Sequence, residues 1–397
     1  MIQGIFLTAI FVLAVGVSSI AGEIARFEFR FEQQLISAVS IDIGDFPQFD
    51  PNFPRPELNS GLTNQNLKTV LAEYFEALEA KDRFSGAVLI QQGDTALFEG
   101  AYGLASRRYK IPNSLNTRFD VGSITKEFTK VAVAQLLERG VLALEDKISR
   151  HLPNYPNRSV AEKVSIGQLV DHTSGLGDVF TPEYFKSSKL RFRSPSDYIE
   201  IFADDPLLFE PGQGKAYSNY GYIVLGAIIE EVSGQGYFDY IRSNLFEVAG
   251  MKHSGFFPSD EPVPEVAIGY TRTDGDGQAS ETVRNNILLM PVNGAPDGGS
   301  HSTVYDLSAF DTALRAHRLL TPPYTRWILG GPEPAAEEDY ESGSKEPAKG
   351  SIGIAGGAPG LNAVLLSDGE RRIIVLANMD EPVAEQVAEI LSGELDW

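Results

Sequence analysis

Two pairs of apolar runs, one pair near each end of the chain, constrain the fold more than any other feature of the sequence. Each pair flanks a short polar turn, centred on Gly93 in the first pair and on Gly369 in the second. Apolar runs on either side of a glycine-containing turn predict β-hairpins. Between the hairpins the pattern is mainly helical, so we expect one sheet built from both chain ends with a helical insertion. The four runs are residues 84–91, 95–102, 361–366 and 373–376.

The length of 397 residues allows two or three domains of ordinary size, or one large one. We predict an α/β (α+β) fold in which an antiparallel sheet is flanked by helices and completed by both chain ends. The predicted sheet domain combines residues 61–115 with 265–397, and a mostly helical subdomain spans 116–264. Residues 23–60 are an N-terminal extension. Helical spacing of apolar residues occurs at 66–80, 123–138, 223–232, 303–320 and 383–391.

The first 22 residues carry no charged side chain, and an almost unbroken apolar run extends from Ile5 to Val17. Small residues at Ser19 and Ala21 suit the positions that a signal peptidase reads. The run is shorter than the roughly 20 residues of a membrane-spanning helix. We therefore predict a signal peptide and export to the periplasm or the medium. The absence of Lys or Arg before the run is atypical of a signal peptide. The alternatives are a retained N-terminal membrane anchor or neither kind of segment, and no other membrane span is expected.

Composition excludes several classes of function. Asp and Glu number 54 against 33 Lys and Arg, which gives a formal charge of −21. A field of that sign repels phosphate backbones, so no nucleic-acid partner is expected. The absence of cysteine removes disulfides, thiolate metal sites and cysteine nucleophiles. The five histidines show no metal-ligand spacing, and we predict neither a metal nor a cofactor.

The segment with the clearest chemistry contains Ser123 and, three residues later, Lys126. On a helix this spacing places both side chains on one face, where the amine can approach the serine oxygen. Serine becomes a nucleophile only when a neighbouring base takes its proton. Alone the motif is weak, because the same spacing recurs at Ser342 and Lys345 in a polar loop. The competing interpretation makes Ser123 a helix N-cap and Lys126 a solvated side chain.

A second motif, Tyr217-Ser218-Asn219, follows a turn and precedes a predicted helix. A phenol placed there could move a proton between nucleophile and leaving group. Longer strings around both motifs, in this order, resemble the serine β-lactamase and penicillin-binding-protein superfamily in its class C-like branch. That branch includes class C β-lactamases, D-alanyl and D-amino-acid peptidases and family VIII carboxylesterases, and the resemblance covers about residues 66–392. The strings are FDVGSITKEFTKVAVAQLLERGVLALEDKI, IGQLVDHTSGL, FEPGQGKAYSNYGYIVLGAIIEEVSG and GGSHSTVYDLSAF.

The resemblance implies a role for each matching residue. Ser123 matches the acylated nucleophile, Lys126 its helical partner and Tyr217 the general base. Asn219 matches a polar contact to Lys126 and the substrate. One oxyanion donor is then the backbone N–H of Ser123, and the second comes from the strand that carries the family's third motif. Two such donors are worth several kcal/mol of barrier.

The third motif departs from the family pattern. The family has Lys-Thr-Gly, His-Thr-Gly or His-Gly-Gly, whereas this chain places Ile354 at the cationic position and Ala355 after it. Gly356 is retained, and the N–H of Gly357 is expected to complete the oxyanion hole. The substrate carboxylate of β-lactams and D-Ala-D-Ala peptides normally meets the missing Lys and Thr. Since an unpaired buried carboxylate costs affinity, the change favours a neutral acyl substrate.

From these observations we predict that the protein is a serine hydrolase that works through an acyl-enzyme on Ser123. We expect esterase-like activity on a neutral ester or amide, with a small-molecule or peptide acyl substrate as the partner. One alternative is β-lactamase or D-Ala/D-amino-acid peptidase activity. Another is a non-catalytic, penicillin-binding-like binding protein, which the changed third motif would suit.

His172, in Asp171-His172-Thr173, suggests a Ser-His-Asp triad. The resemblance gives this stretch a structural role, so we expect His172 to position a loop through a hydrogen bond. The chain has no G-x-S-x-G motif, which argues against an α/β-hydrolase.

Overall fold

The computed structural model describes residues 49–58, 63–274, 279–334 and 347–395. The predicted signal peptide, most of the 23–60 extension and most of the polar loop near residue 340 lie outside the described residues. Among the helices of the described ranges, none combines the length and the apolar character needed to cross a bilayer.

Both predicted hairpins are present, and they pair with each other in one antiparallel sheet of five strands. The first strand of the N-terminal hairpin pairs with the last strand of the C-terminal hairpin, so Gly86 faces Ala377 and Gln92 faces Arg371. The order across the sheet is β2-β1-β11-β10-β9, which leaves β9 at an edge. The strands of the described chain are β1 Gly86–Gln92, β2 Thr95–Tyr102, β3 Leu104–Ser106, β4 Ile111–Pro112, β5 Phe119–Asp120, β6 Tyr270–Thr273, β7 Ala279–Asn285, β8 His301–Ser302, β9 Ile352–Ala358, β10 Leu361–Ser367 and β11 Arg371–Ala377.

The sheet is covered on both faces, which explains why its central strands are continuously apolar. Along β11, Ile373 and Val375 face one buried cluster, whereas Ile374 and Leu376 face the other. The smaller cluster lies between the sheet and the first and last helices. The larger cluster joins the opposite face to the remaining helices. The helices are α1 Asn64–Ala80, α2 Thr125–Glu138, α3 Ile148–His151, α4 Arg158–Lys163, α5 Ile166–Val170, α6 Pro182–Lys186, α7 Pro195–Phe202, α8 Asn219–Ser233, α9 Tyr237–Ile241, α10 Glu247–Ala249, α11 Val304–Arg315, α12 Pro322–Ile328 and α13 Val383–Glu394.

One predicted helix starts differently from expectation. The helical pattern began at Ser123, but residues 122–124 form a 3-10 turn, and the α-helix α2 begins at Thr125. Gly122 enters this turn with a φ of +51°. A left-handed residue at that point suits glycine and brings the chain into the tighter turn.

The mixed α/β architecture with an antiparallel sheet is the one predicted. All the described residues belong to one compact unit. The proposed boundary between a sheet domain and a helical subdomain stays a prediction. For the site, the important consequence is that edge strand β9 packs against the 3-10 turn before α2, and that α2 packs against α8.

Candidate active site

Ser123 and Lys126 lie on one face of the chain at the start of α2, as their spacing predicted. Lys126 Nζ donates a hydrogen bond of 3.2 Å to Ser123 Oγ. The turn that carries Ser123 is held by Asp120, whose Oδ1 accepts the Gly122 N–H at 2.9 Å. The helix N-cap position falls on Ile124 with no side-chain capping bond, so Ser123 is not a capping residue.

Lys126 is buried, with 5% of its surface exposed. Besides Ser123, its ammonium group donates to Asn219 Oδ1 at 2.6 Å and to the carbonyl oxygen of Asp297 at 2.5 Å. An ammonium group has three donors, and each of them has an acceptor here. The alternative interpretation of Lys126 as a solvated side chain is therefore wrong.

Tyr217 completes the cluster, because its hydroxyl donates to Ser123 Oγ at 2.8 Å. Lys126 Nζ lies 4.8 Å from the centre of the Tyr217 ring. The positive charge can thus stabilise negative charge on the phenol oxygen. Ser123 Oγ is in hydrogen-bond reach of both groups that could exchange a proton with it.

His172 positions Tyr217 rather than Ser123. Its ring stacks on Tyr217 with the centroids 4.7 Å apart, and its Nδ1 accepts the Ser218 N–H at 3.2 Å. Burial, with Lys126 and other nearby cations, lowers the pKa of His172 to about 3. The imidazole is therefore neutral near pH 7 and holds the loop through the hydrogen bond expected from the sequence.

Asn219 is the first residue of α8, and its amide is oriented from both sides. Its Nδ2 donates to the two carboxylate oxygens of Asp178 at 2.9 and 3.0 Å, which turns Oδ1 toward Lys126. The preceding residue, Ser218, caps the helix by accepting the Gly221 N–H at 3.0 Å. The cap and Asp178 together place Asn219 against Lys126.

Strand β9, which contains the predicted third motif, runs beside the 3-10 turn that carries Ser123. A Cβ atom on Gly356 would lie 2.1 Å from the carbonyl oxygen of Val121 and 2.7 Å from the backbone nitrogen of Ser123. A side chain at this position would collide with the backbone, so the close approach of the two segments requires glycine. The backbone nitrogen of Gly357 also lies against the turn, 3.1 Å from where a Cβ on Gly122 would be.

Ile354 and Ala355 occupy opposite faces of β9. Ile354 is partly buried against the larger apolar cluster, and Ala355 is packed against the smaller one. In the antiparallel register Ile354 faces Leu365. Ile354 therefore serves as a packing residue in this strand.

A cavity of about 500 Å³ opens beside Ser123, Asn219 and Gly357. Its walls are mainly apolar and aromatic, with Phe180 and Phe257 among them. Among the described residues that line it, none is Lys or Arg. Its acidic lining residues are Asp120, Glu261 and Asp297.

Sequence reasoning missed two residues of this cluster, Asp178 and Asp297. Asp297 contributes its backbone carbonyl, which any residue type could supply, although it directly precedes the Gly298-Gly299 pair of a string that resembles the family. Asp178 acts through Asn219, and no motif in the sequence marks it. Burial raises the pKa of Asp297 to about 6, partly offset by the positive charge of Lys126.

Comparisons with known proteins identify the family of this chain. The beta-lactamase family model matches residues 71–391. Penicillin-binding protein 4* of Bacillus subtilis is 30% identical over 346 residues, which are 83% of this chain and 76% of that protein.

Solved structures give the same result. The structure of a penicillin-binding protein from Bacillus halodurans matches with a TM-score of 0.68 and 30% sequence identity. The match covers 80% of this chain and 98% of the Bacillus halodurans chain. The structure of a class C β-lactamase matches with a TM-score of 0.63 and 21% sequence identity, over 85% of this chain and 98% of the β-lactamase chain. This match shows a common fold. The chain therefore belongs to the β-lactamase family, alongside penicillin-binding proteins.

Proposed function

We propose that this protein is an acyl-serine hydrolase, with Ser123 as nucleophile and esterase-like activity on a neutral ester or amide. One observation carries the proposal. Ser123 Oγ lies 3.2 Å from Lys126 Nζ and 2.8 Å from the Tyr217 hydroxyl, at the mouth of a cavity with no Lys or Arg among its described lining residues.

The proposed reaction has two halves. In the reacting form Tyr217 is a phenolate, and the Lys126 ammonium group stabilises its negative charge. Ser123 Oγ attacks the carbonyl carbon while its proton passes to this phenolate oxygen. The bond to the leaving group breaks, and Tyr217 returns the proton to the departing oxygen or nitrogen. Water then attacks the acyl-enzyme by the same route and frees Ser123. The backbone N–H groups of Ser123 and Gly357 are the proposed donors to the oxyanion.

The neutral substrate follows from the charges around the site. Ile354 occupies the position where relatives of this family type have a cation, and it is packed against apolar side chains. A substrate carboxylate at this edge would lose its hydration without gaining an ionic partner. We infer that the leaving side of the substrate carries no carboxylate.

Replacement of the nucleophile is the direct test. Ser123→Ala should abolish labelling by a fluorophosphonate probe and lower the turnover of a nitrophenyl ester by about 10³-fold or more. Ser342→Ala is the matched control, since Ser342 has the same spacing to Lys345. It should keep full labelling and turnover. Equal labelling of the Ser123→Ala protein would refute the proposal.

A second candidate is β-lactamase or D-Ala peptidase activity, favoured by the 30% identity to penicillin-binding proteins. The two candidates differ in the substrate carboxylate. We expect kcat/KM for nitrocefin to lie well below that for a nitrophenyl ester of similar size. Efficient nitrocefin turnover would reverse this order. A purely binding function predicts no Ser123-dependent turnover of either compound.

A further inference from the structure

Two buried polar groups in the wall of the cavity have no role in the reaction proposed above. The first is the carboxylate of Asp297, a residue that is 9% exposed. The second is the hydroxyl of Tyr198, a residue that is 3% exposed, and this hydroxyl has no hydrogen-bond partner. Both residues line the cavity that opens at Ser123.

The position of Asp297 relative to the nucleophile is well defined. Its carbonyl oxygen accepts from Lys126 Nζ at 2.5 Å, and the same ammonium group donates to Ser123 Oγ at 3.2 Å. The neighbouring Gly298 packs against Gly122 in the nucleophile turn. Asp297 therefore lies in the part of the cavity wall that is next to Ser123, and its carboxylate is close enough to Lys126 to feel the positive charge of the ammonium group.

The charged and titratable groups that face the Asp297 carboxylate do not neutralise it fully. Lys126 is the cation that acts on it, and that ammonium group already has three oxygen acceptors. Asp178 opposes ionisation of Asp297 by its own negative charge. Three tyrosines also lie close enough to feel its charge. The three whose pKa Asp297 affects are Tyr184, Tyr198 and Tyr237.

We propose that this cavity binds an acyl group with a protonated amine close to the scissile carbonyl, and that the Asp297 carboxylate and the Tyr198 oxygen accept its hydrogen bonds. This inference rests on the proposed function and narrows its substrate class. The ester or amide bond itself is neutral, and the added positive charge lies on the acyl side.

An ammonium group fits these surroundings better than other polar groups. It has donors for both the carboxylate and the phenol oxygen, and the aromatic rings of Tyr184 and Phe180 in the same wall tolerate a cation. An anion would meet the acidic lining residues without any Lys or Arg in the described wall. A wholly apolar acyl group would leave the Tyr198 hydroxyl without a partner and would place apolar surface against the buried Asp297 carboxylate, which costs affinity.

The test uses pairs of methyl esters of equal shape, in which a protonated amine replaces a methyl group. Alanine methyl ester, as each enantiomer, is compared with methyl isobutyrate. Methyl 3-aminobutanoate is compared with methyl 3-methylbutanoate, which places the amine one carbon farther away. Acid release in a pH-stat gives kcat/KM for the full-length wild type, Asp297→Asn and Tyr198→Phe. Asp94→Asn, in the exposed turn of the first hairpin, controls for the loss of one surface charge.

In the wild type we expect kcat/KM, divided by the rate constant for hydroxide hydrolysis of the same ester, to be 10-fold or more higher for at least one amine than for its neutral partner. Asp297→Asn should lower this ratio by 10-fold or more, mainly through KM, whereas Asp94→Asn should leave it unchanged. Tyr198→Phe should lower it less. In the wild type the ratio should fall as the pH drops below about 6 and Asp297 becomes protonated.

Two negative outcomes are distinguishable. If the neutral esters react through Ser123 as fast as the amines in the wild type, the inference is wrong and the proposed hydrolase activity stands. If the wild-type protein hydrolyses none of these esters and is not labelled at Ser123 by the fluorophosphonate probe, the proposed function is wrong, and so is the inference that rests on it. The wild-type comparison needs no variant, so the result does not depend on the folding of Asp297→Asn.

Discussion

At the scale of single residues, two donors converge on Ser123 Oγ, and the groups that orient them are different in kind. Lys126 is oriented by oxygen acceptors, namely Asn219 and the backbone of Asp297. Tyr217 is oriented by a stacked ring, His172. Both arrangements depend on burial, because water would compete for the same donors and acceptors at an exposed site.

The buried imidazole of His172 leads to a prediction of how the free energy of unfolding depends on pH. Burial lowers its pKa from 6.5 in the unfolded chain to about 3 in the folded protein. Between these values the unfolded chain binds one proton more, so stability falls as the pH drops through this window and is unaffected above it. At pH 4.5 the loss is about 3 kcal/mol. His172→Gln keeps an acceptor for Ser218 and should lose stability less steeply between pH 6.5 and 4.5.

Urea unfolding of both proteins at several pH values measures the difference. Other groups that titrate in this range affect both proteins alike. If the free energy of unfolding falls equally steeply with decreasing pH in the wild type and in His172→Gln, the imidazole is not held neutral in the folded protein.

At the scale of secondary-structure elements, the start of α8 and the edge strand β9 bring the site together. Asn219 is the first residue of α8, so a shift in the helix start would move its amide away from Lys126. On β9, Gly356 allows the strand to approach the 3-10 turn that carries Ser123, because a side chain would collide with Val121. The site therefore depends on where each element begins as well as on which residues it contains.

The cap of α8 can be tested directly. Ser218 is fully buried, accepts the Gly221 N–H and donates to the carbonyl oxygen of Gly177 at 2.9 Å. Ser218→Ala leaves both groups unpaired and should lower the free energy of unfolding by about 1–2 kcal/mol. Ser233→Ala, at the other end of the same helix, should have little effect. Urea unfolding compares the two, and equal effects would contradict the capping role.

At the scale of the whole molecule, the sheet joins strands from both chain ends, and a buried ionic cluster ties it to α11. Asp311, with no exposed surface, accepts from Arg315 Nε at 2.7 Å and from Arg372 Nε at 2.6 Å. Arg372 belongs to β11, whereas Asp311 and Arg315 belong to α11. Ser367 on β10 also donates to Asp311 at 2.8 Å. One carboxylate thus links a helix that follows the insertion to two strands near the C-terminus.

Removal of that carboxylate should be costly. Asp311→Ala leaves two buried guanidinium groups without their partner, and we expect a loss of about 3–5 kcal/mol in the free energy of unfolding. The control is Glu162→Ala, which breaks the exposed pair with Arg158 and should not change stability measurably. Chemical unfolding at pH 7 measures both variants. A small loss in Asp311→Ala would mean that the cluster is not needed to hold α11 on the sheet.

Local patterns in the sequence determined the main elements, because turn residues, strand-like apolar runs and helical spacing act over short distances. Both hairpins, α1, α8, α11 and α13 follow from them, and so does the pairing of Ser123 with Lys126 three residues later. Only the tertiary structure decided which distant groups reach Lys126, and it selected Asn219, 93 residues away, and the carbonyl of Asp297, 171 residues away. A backbone carbonyl leaves no signature in the sequence, because every residue has one. The burial of the Asp297 side chain in the cavity wall also became visible only in the folded chain, because the groups that surround it come from distant parts of the sequence.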